Sequence, residues 1–174
     1  MVKAIFPGTF DPIHYGHIDI AIRASKLFDE LIIAVYDRPL KNLLFSPETR
    51  LDLVVQCFQK EENIRVMGYN NLTVEFCKSQ GAMVIVRGLR VFSDFEHEFR
   101  MALANKRLDN EIENIALITS EMHTFLSSTT VREIAALGGN VSTMVPPHVE
   151  KKLLESMKSF DESKKMDQHT SLRD

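Results

Sequence analysis

The chain has 174 residues, of which 44% are hydrophobic and 26% charged, a composition typical of one globular domain with a sizeable core. Its formal net charge of −3 argues against a broad nucleic-acid-binding surface, so an anion site must be a local cluster of basic groups. No apolar run reaches transmembrane length and the start lacks a signal-peptide pattern, so we expect a cytoplasmic protein without nucleic-acid or membrane partners. The cysteines, Cys57 and Cys77, lack metal-ligand spacing and are expected to be reduced and at least half-buried.

Strand-like and helical patterns alternate along the chain. An apolar strand ends at Phe6, a Pro-Gly turn follows, and an amphipathic helix runs from Ile18 to Phe28. Further strands are predicted at 31–35, 64–67, 83–86 and 115–118, and further helices at 47–59, 72–80, 93–107, 129–137 and 146–157. Ser46 is the expected cap of one helix, and Ser93 with Glu96 has the capping-box spacing of another. The pattern predicts an α/β fold with a doubly wound, five-stranded, mainly parallel sheet and C-terminal helices.

The composition changes near the end of the chain. From Lys158 to Asp174 the residues are mostly polar or charged, and such a segment buries too little apolar surface to offset its ordering entropy. We therefore expect residues 1–157 to form one domain and residues 158–174 to be a flexible tail. Phe160 and Met166 leave open a helix that packs on a neighbouring subunit.

The segment between the first strand and the first helix carries a concentration of polar groups. Residues 7–17 read Pro-Gly-Thr-Phe-Asp-Pro-Ile-His-Tyr-Gly-His. They place the Thr9 hydroxyl and the imidazoles of His14 and His17 near a helix N-terminus, where anions are favoured. Gly16 lacks a Cβ and lets a phosphate approach the backbone. Open α/β sheets bind nucleotides at such strand–loop–helix junctions, although a loop with two surface histidines is the plainer interpretation.

Three further loops carry polar or basic residues after predicted strands. They are Asp37–Lys41, Arg87-Gly88-Leu89-Arg90 and Ser120–Arg132. Taken singly, each has an ordinary interpretation as a solvated turn, a loop lysine or a helix cap. The carboxyl ends of parallel strands meet at one edge of a sheet, so together the loops predict a local anion pocket.

Two sets of these residues resemble known family signatures. The run Pro7-Gly8-Thr9-Phe10-Asp11-Pro12 with His14-Tyr15-Gly16-His17 resembles the first signature of the nucleotidylyltransferase superfamily, in which H-x-G-H binds the nucleotide triphosphate. The sequence from Lys3 to Leu154 resembles the phosphopantetheine adenylyltransferase family in more detail. The additional matches are Lys41 before Phe45-Ser46-Pro47-Glu48, Arg87-Gly88-Leu89-Arg90 with Asp94-Phe95-Glu96, and Ser127-Ser128-Thr129 before Val131-Arg132.

The resemblance implies a Rossmann-like nucleotidylyltransferase fold and a nucleotidyltransferase activity. Family members transfer the adenylyl group of ATP to 4′-phosphopantetheine, with Mg²⁺, and release dephospho-coenzyme A and pyrophosphate. The reaction is the penultimate step of coenzyme A biosynthesis. The family consists of bacterial enzymes that assemble as homohexamers, so a homohexamer is expected here.

The same resemblance implies roles for individual residues. Four are expected to be catalytic: His17, Thr9, Lys41 and Arg90. Those expected to bind the acceptor are Thr9, Lys41, Thr73 and Arg87. Those expected to bind ATP are Thr9, Phe10, His17, Gly88, Leu89, Arg90, Glu98, His123, Thr124, Phe125, Leu126, Ser127, Ser128 and Thr129. Mg²⁺ is expected on the phosphates, without a protein metal site, and no covalent enzyme intermediate is expected.

The chain departs from the family pattern at four positions. His14 stands where many members carry Thr, Thr129 where Ser is common, and His97 where Tyr is frequent. Position 73, often apolar, is Thr73. Two other function classes remain open: a nicotinamide mononucleotide adenylyltransferase, which shares the Ser-Ser-Thr-x-Val-Arg pattern, and a nucleotide-binding module without catalysis. An aminoacyl-tRNA synthetase also uses H-x-G-H, but this chain has no room for tRNA-binding domains.

Overall fold

A computed structural model of the chain describes residues 2–38 and 43–170, with the side chains of Ser93 and of residues 159–170 left undescribed. Five strands form one sheet in the order β3-β2-β1-β4-β5, and every described strand pair is parallel. The strands are β1 (Lys3–Gly8), β2 (Glu30–Tyr36), β3 (Ile64–Tyr69), β4 (Val84–Leu89) and β5 (Glu113–Ile118). The predicted fold class is confirmed. The strand order reverses direction at β1, so the loops after β1 and β4 meet at the switch point where such sheets bind ligands.

Helices cover both faces of the sheet. They are α1 (Tyr15–Ser25), α2 (Pro47–Phe58), α3 (Thr73–Gln80), α4 (Phe92–Leu108), α5 (Ser128–Ala136) and α6 (Pro147–Thr170), with a short 3₁₀ turn at Glu121–His123. Two predicted boundaries are confirmed. The Ser46 hydroxyl caps α2 by accepting from the Thr49 amide, and Gly81 ends α3 with a φ of 65°, a conformation that glycine adopts without strain. Within the described part of the chain, no helix combines the length and apolarity needed to cross a bilayer.

Several helix boundaries differ from the predictions, among them the end of α1, which is at Ser25 rather than at Phe28. Helix α1 begins at Tyr15 rather than Ile18, because the His14 side chain caps it. The capping box predicted at Ser93 is wrong: α4 begins one residue earlier, its cap residue Val91 makes no side-chain hydrogen bond, and the nearby carboxylate of Asp94 binds an arginine instead. Helix α6 continues beyond the predicted end at 157, since the segment is rich in good helix formers. The flexible tail at 158–174 stays a prediction.

The hydrophobic core lies on both faces of the sheet. Alternate residues of β2 point to opposite sides, so Ile33 belongs to the larger cluster under α1, α2, α5 and α6, while Ile32 belongs to the smaller cluster under α3. Burial on both faces explains why β2 is a continuous apolar run. Helix α4 differs from the others in that none of its described side chains is buried, and β5 beside it is an edge strand. This side of the molecule therefore exposes apolar surface next to the switch point.

Candidate active site

A cavity of about 370 Å³ opens at the carboxyl edge of β1 and β4, between the loops predicted to converge there. The predicted site residues that line it are Thr9, Phe10, His17, Arg87, Gly88, Arg90, Glu98, Ser127, Ser128 and Thr129. Its lining also includes polar residues that were not predicted as site residues, among them His14, Asp94, His97 and Thr119. The loop at 87–90 and the segment at 127–129 therefore meet at one cavity, together with the Thr9 loop. Of the third predicted loop, Asp37–Lys41, the described residues Asp37 and Arg38 do not line this cavity, and its convergence with the others stays a prediction.

A second cavity of about 240 Å³ adjoins the first and lies against α3 and α4. Both cavities are lined by Thr9, Arg87, His97 and Glu98, so these four side chains stand on the boundary between two spaces. Thr73 lines only the second cavity, where its hydroxyl hydrogen-bonds the Tyr69 hydroxyl at 3.0 Å. The arrangement suits two ligands that meet at Thr9 and Arg87.

Several predicted site residues do not line either cavity. Leu89 faces an apolar groove instead. His123 and Thr124 lie beyond the start of α1, with the His123 ring 6.4 Å from that of Tyr15, and the Phe125 side chain is 59% exposed. Leu126 is fully buried, and only its carbonyl reaches the site region.

Lys41, predicted to be catalytic and to bind the acceptor, lies outside the described residues. The role of Lys41 stays a prediction.

The two histidines of the H-x-G-H segment form a reciprocal pair. The His14 amide donates to Nδ1 of His17 at 3.3 Å, and the His17 amide donates to Nδ1 of His14 at 3.4 Å. Their rings stack with centroids 3.6 Å apart. Because each Nδ1 accepts an N–H, a neutral ring carries its proton on Nε2 and presents that atom as a donor. A Cβ on Gly16 would lie 3.1 Å from the His14 ring, so glycine gives the pair its room.

The surroundings keep both imidazoles neutral. Burial, together with the charges of Arg90 and His123, lowers the pKa of His14 to about 3. Burial also lowers the pKa of His17 well below its usual value, assisted by His14, Arg90 and Arg87. At neutral pH the site therefore offers uncharged Nε2–H donors to a phosphate, and its positive charge resides on the arginines.

The two arginines at the cavity are each held by one carboxylate of α4. Nε and Nη2 of Arg87 donate to the two Glu98 oxygens at 2.7 and 2.6 Å, and Nη1 donates to the Pro7 carbonyl at 2.7 Å. Nε and Nη2 of Arg90 donate to the two Asp94 oxygens at 3.0 and 3.1 Å. Arg90 and Asp94 are four residues apart, whereas the Arg87–Glu98 pair spans eleven residues and requires α4 to pack beside β4.

Two buried charged residues, missed in the sequence, hold the loops around the cavity. Asp11 is 1% exposed and accepts from the amides of Leu44 and Phe45 at 2.8 and 3.0 Å. Arg50 is fully buried and donates from Nη1 to the carbonyls of Thr9 and Tyr36 at 2.6 and 2.7 Å. Together they tie the Thr9 loop to the end of β2 and to the start of α2. Because Asp11 lies within the first signature, the sequence could have identified it as a residue of the site.

Arg50 gave no comparable signal. It occupies the buried face of α2 beside Leu53 and Val54, where a charged residue in an amphipathic pattern is read as solvent-exposed. Burial lowers its pKa, while Asp11, Asp37 and Glu48 raise it. The sequence cannot show that this guanidinium binds main-chain carbonyls of distant loops.

The donor set of the cavity fits phosphate oxygens better than a bare metal ion. Its lining offers imidazole N–H groups, hydroxyls, main-chain amides and guanidinium groups, and the Asp94 and Glu98 carboxylates already bind arginines. Among the described residues, no group of three or more His, Cys, Asp or Glu side chains is placed to hold a metal. A Mg²⁺ ion that arrives on a triphosphate keeps phosphate and water ligands and needs no such group.

Comparison with known proteins identifies the family. The family model for cytidylyltransferase-like proteins matches residues 5–134. Phosphopantetheine adenylyltransferase of Herpetosiphon aurantiacus is 45% identical over 94% of this chain and 99% of its own length, and the Roseiflexus sp. protein of the same name is 50% identical over 86% and 94%.

A solved structure supports the fold. A crystal structure of a Vibrio parahaemolyticus protein assigned as a nicotinate-nucleotide adenylyltransferase superimposes with a TM-score of 0.65, covering 90% of this chain and 95% of that one at 22% identity. At that identity it shows the nucleotidyltransferase fold alone. The sequence relatives and the matched signatures carry the conclusion that this chain belongs to the phosphopantetheine adenylyltransferase family.

Proposed function

We propose that the protein transfers the adenylyl group of ATP to 4′-phosphopantetheine, forming dephospho-coenzyme A and pyrophosphate. The names of the relatives support this activity. The observation that carries it is the pair of adjoining cavities that share Thr9 and Arg87, because a transfer between two bound anions needs two sites with a common boundary.

The larger cavity is the proposed ATP site. Arg90 supplies positive charge at one wall. Close to it, since Arg90 donates to the Leu126 carbonyl, α5 begins at Ser128 with Ser127 as its cap, and the first amides of a helix favour phosphate oxygens. The β- and γ-phosphates that leave as pyrophosphate are proposed to lie against Arg90 and the first amides of α5.

The smaller cavity is the proposed acceptor site. Its lining combines the apolar or aromatic side chains of Tyr36, Tyr69 and Met101 with the amides of Asn105 and Asn114. A pantetheine arm alternates methylene and amide groups, and such a lining can bury the first and hydrogen-bond the second. The acceptor phosphate would then face Arg87 at the boundary.

The chemistry needs no enzyme nucleophile. A phosphate oxygen of the acceptor attacks the α-phosphorus of ATP, and the bond from that phosphorus to the bridging oxygen of pyrophosphate breaks. We assign to Nε2–H of His17 and to Thr9 the donation of hydrogen bonds to α-phosphate oxygens as charge develops, and to Arg87 with Lys41 the holding of the acceptor in line. No proton need be removed from the attacking oxygen, since the monoester is already ionised.

Mg²⁺ is proposed to accompany ATP, coordinated by phosphate oxygens and water. When bound, it neutralises phosphate charge. The residues nearest to it would be those of the triphosphate side of the larger cavity, around Arg90 and Ser127.

A homohexamer in the cytoplasm completes the proposal. The exposed apolar side chains on α4 and at the end of β5 support self-association: Phe92 is 88% exposed, Phe95 49%, Phe99 52% and Ile118 75%. Large contiguous apolar patches of this kind mark interaction surfaces.

The experiment is an assay of pyrophosphate release with ATP and either 4′-phosphopantetheine or nicotinamide mononucleotide. We expect turnover with the first acceptor and at least about a hundredfold lower kcat/KM with the second, because the second lacks the extended arm of methylene and amide groups that the smaller cavity is proposed to bind. Turnover with nicotinamide mononucleotide and none with 4′-phosphopantetheine would show that the acceptor is nicotinamide mononucleotide instead. ATP binding without turnover on either would indicate a nucleotide-binding module.

A further inference from the structure

Two ion pairs beside the cavities are built to the same plan. Arg87 and Arg90 are three residues apart at the end of β4, and Glu98 and Asp94 are four residues apart on α4, so both carboxylates lie on one face of the helix. Each arginine gives Nε and Nη2 to the two oxygens of one carboxylate, and each gives Nη1 to a main-chain carbonyl. The same hydrogen-bond arrangement in both ion pairs suggests that the two carboxylates have the same role.

This side-on pairing determines which guanidinium edge remains available. Of the five N–H groups of a guanidinium, the contacts with Glu98 and Pro7 occupy three in Arg87, and those with Asp94 and Leu126 occupy three in Arg90. Two N–H groups on each arginine remain for a phosphate. Because the ion pair is bidentate, it fixes the plane of the guanidinium as well as its position.

We propose that Glu98 and Asp94 are positioning residues that aim Arg87 at the acceptor phosphate and Arg90 at the triphosphate, respectively. The inference rests on the proposed function for the identity of the two ligands. It changes the role implied for Glu98, which the family resemblance counts among ATP-binding positions. Both Glu98 oxygens face Arg87, and a carboxylate turned instead toward a polyphosphate would repel it.

The surroundings support two separate pairs. Arg87 and Glu98 line both cavities, whereas Arg90 and Asp94 line only the larger one. Hydrogen bonds from Arg90 outweigh burial and lower the pKa of Asp94, so this carboxylate stays ionised at neutral pH. The Glu98 side chain is only 14% exposed, which shields its pair from water.

The test separates the two pairs by substrate. Glu98→Gln is expected to raise KM for 4′-phosphopantetheine about tenfold and to change KM for ATP less than about twofold, whereas Asp94→Asn is expected to raise KM for ATP about tenfold. Glu96→Gln is the matched control, since Glu96 lies on the same helix, pairs with Arg100 at 3.1 Å and is 73% exposed. It should leave both constants within about twofold of the unchanged protein.

A double variant shows whether Glu98 acts through its arginine. In an Arg87→Lys background, which lacks the fork-shaped guanidinium, Glu98→Gln should add less than about twofold to KM of the acceptor. The full tenfold effect in that background would overturn the proposal. If Glu98→Gln raised only the KM for ATP, Glu98 would contact ATP itself, and the proposal would also be overturned. The same holds if Glu98→Gln and Asp94→Asn left both KM values as unchanged as Glu96→Gln does.

A readout without substrates keeps the test independent of the proposed function. In a ¹H–¹⁵N spectrum, the Nε–H resonance of Arg87 should shift with Glu98→Gln and not with Glu96→Gln or Asp94→Asn. If the unchanged protein fails to use 4′-phosphopantetheine, the proposed function fails, while this spectrum still decides the pairing. An Arg87 resonance unaffected by Glu98→Gln would contradict the pairing itself.

Discussion

The imidazole of His17 links the sequence signature most directly to the chemistry. Its Nδ1 accepts the His14 amide, its ring packs against Phe10 with centroids 5.0 Å apart, and it lines the larger cavity. A neutral side chain fixed in this way offers one donor in a preset direction.

We therefore predict that His17→Ala folds but loses about 10²–10³-fold in kcat, the usual effect of removing one preorganised donor to a developing charge. The measurement is the steady-state rate at saturating ATP and acceptor, with circular dichroism to check folding. His14→Thr should be milder, since Thr can also cap α1. A His17→Ala protein with near-normal kcat would remove His17 from the mechanism.

Burial of the histidine pair also predicts a pH dependence of stability. The folded pKa of His14 is about 3, whereas its value in an unfolded chain is 6.5, and that of His17 is lowered in the same direction. Below about pH 6.5 the unfolded chain takes up protons that the folded protein does not. The contribution of the two histidines to the free energy of unfolding is therefore fully present above that pH and is lost as the pH falls toward 3.

We expect the decline between pH 6.5 and 5 to approach about 1.4 kcal/mol per pH unit for each neutral buried histidine. His14→Asn, which can still cap the helix, should give a shallower decline in urea titrations. If the free energy of unfolding fell equally steeply with pH in the variant and in the unchanged protein, His14 would be protonated as readily in the folded state as in the unfolded state.

At the scale of elements, the sequence predicted what depends on local pattern and missed what depends on packing. The strand β2 was readable because both of its faces are buried, and the end of α3 because Gly81 adopts a positive φ. The start of α1 was missed because a histidine is an unusual cap. The arginine pairs of α4 were missed because they depend on how α4 packs beside the end of β4, and the buried Arg50 was missed because the carbonyls it binds lie in distant segments.

The loop before α2 is the element whose role the sequence assigns most sharply. Asp11 and Arg50 attach Leu44 and Phe45, the described residues just before α2, to the Thr9 loop. The family resemblance implies that Lys41, which lies outside the described residues, holds the acceptor phosphate. We predict that Lys41→Ala raises KM for 4′-phosphopantetheine about tenfold or more, with little change in the Kd of ATP by calorimetry. Lys60→Ala, an exposed lysine after α2, is the matched control. Equal weakening of both ligands would assign Lys41 to the triphosphate.

For the whole molecule, the proposed homohexamer requires a surface that would join its subunits. The exposed phenylalanines of α4 favour that helix, whereas the polar residues after 158 favour a dispensable tail. We predict that Phe95→Ser reduces the assembly size measured by light scattering, whereas truncation after Phe160 does not.

Leu137, which is 89% exposed and lies after α5, provides the control for loss of an exposed apolar side chain, and Leu137→Ser should leave the assembly intact. Smaller assemblies on truncation would make the tail an interface element. An unchanged assembly with Phe95→Ser would exclude the α4 face as a required contact.

The central claim is that one product molecule spans the two cavities, and a crystal structure with dephospho-coenzyme A tests it most directly. We predict the adenosine in the larger cavity, the pantetheine arm in the smaller cavity beside Tyr69 and Asn105, and the diphosphate at Thr9, His17 and Arg87. A pantetheine arm outside the smaller cavity, or a diphosphate away from Thr9 and Arg87, would contradict the account.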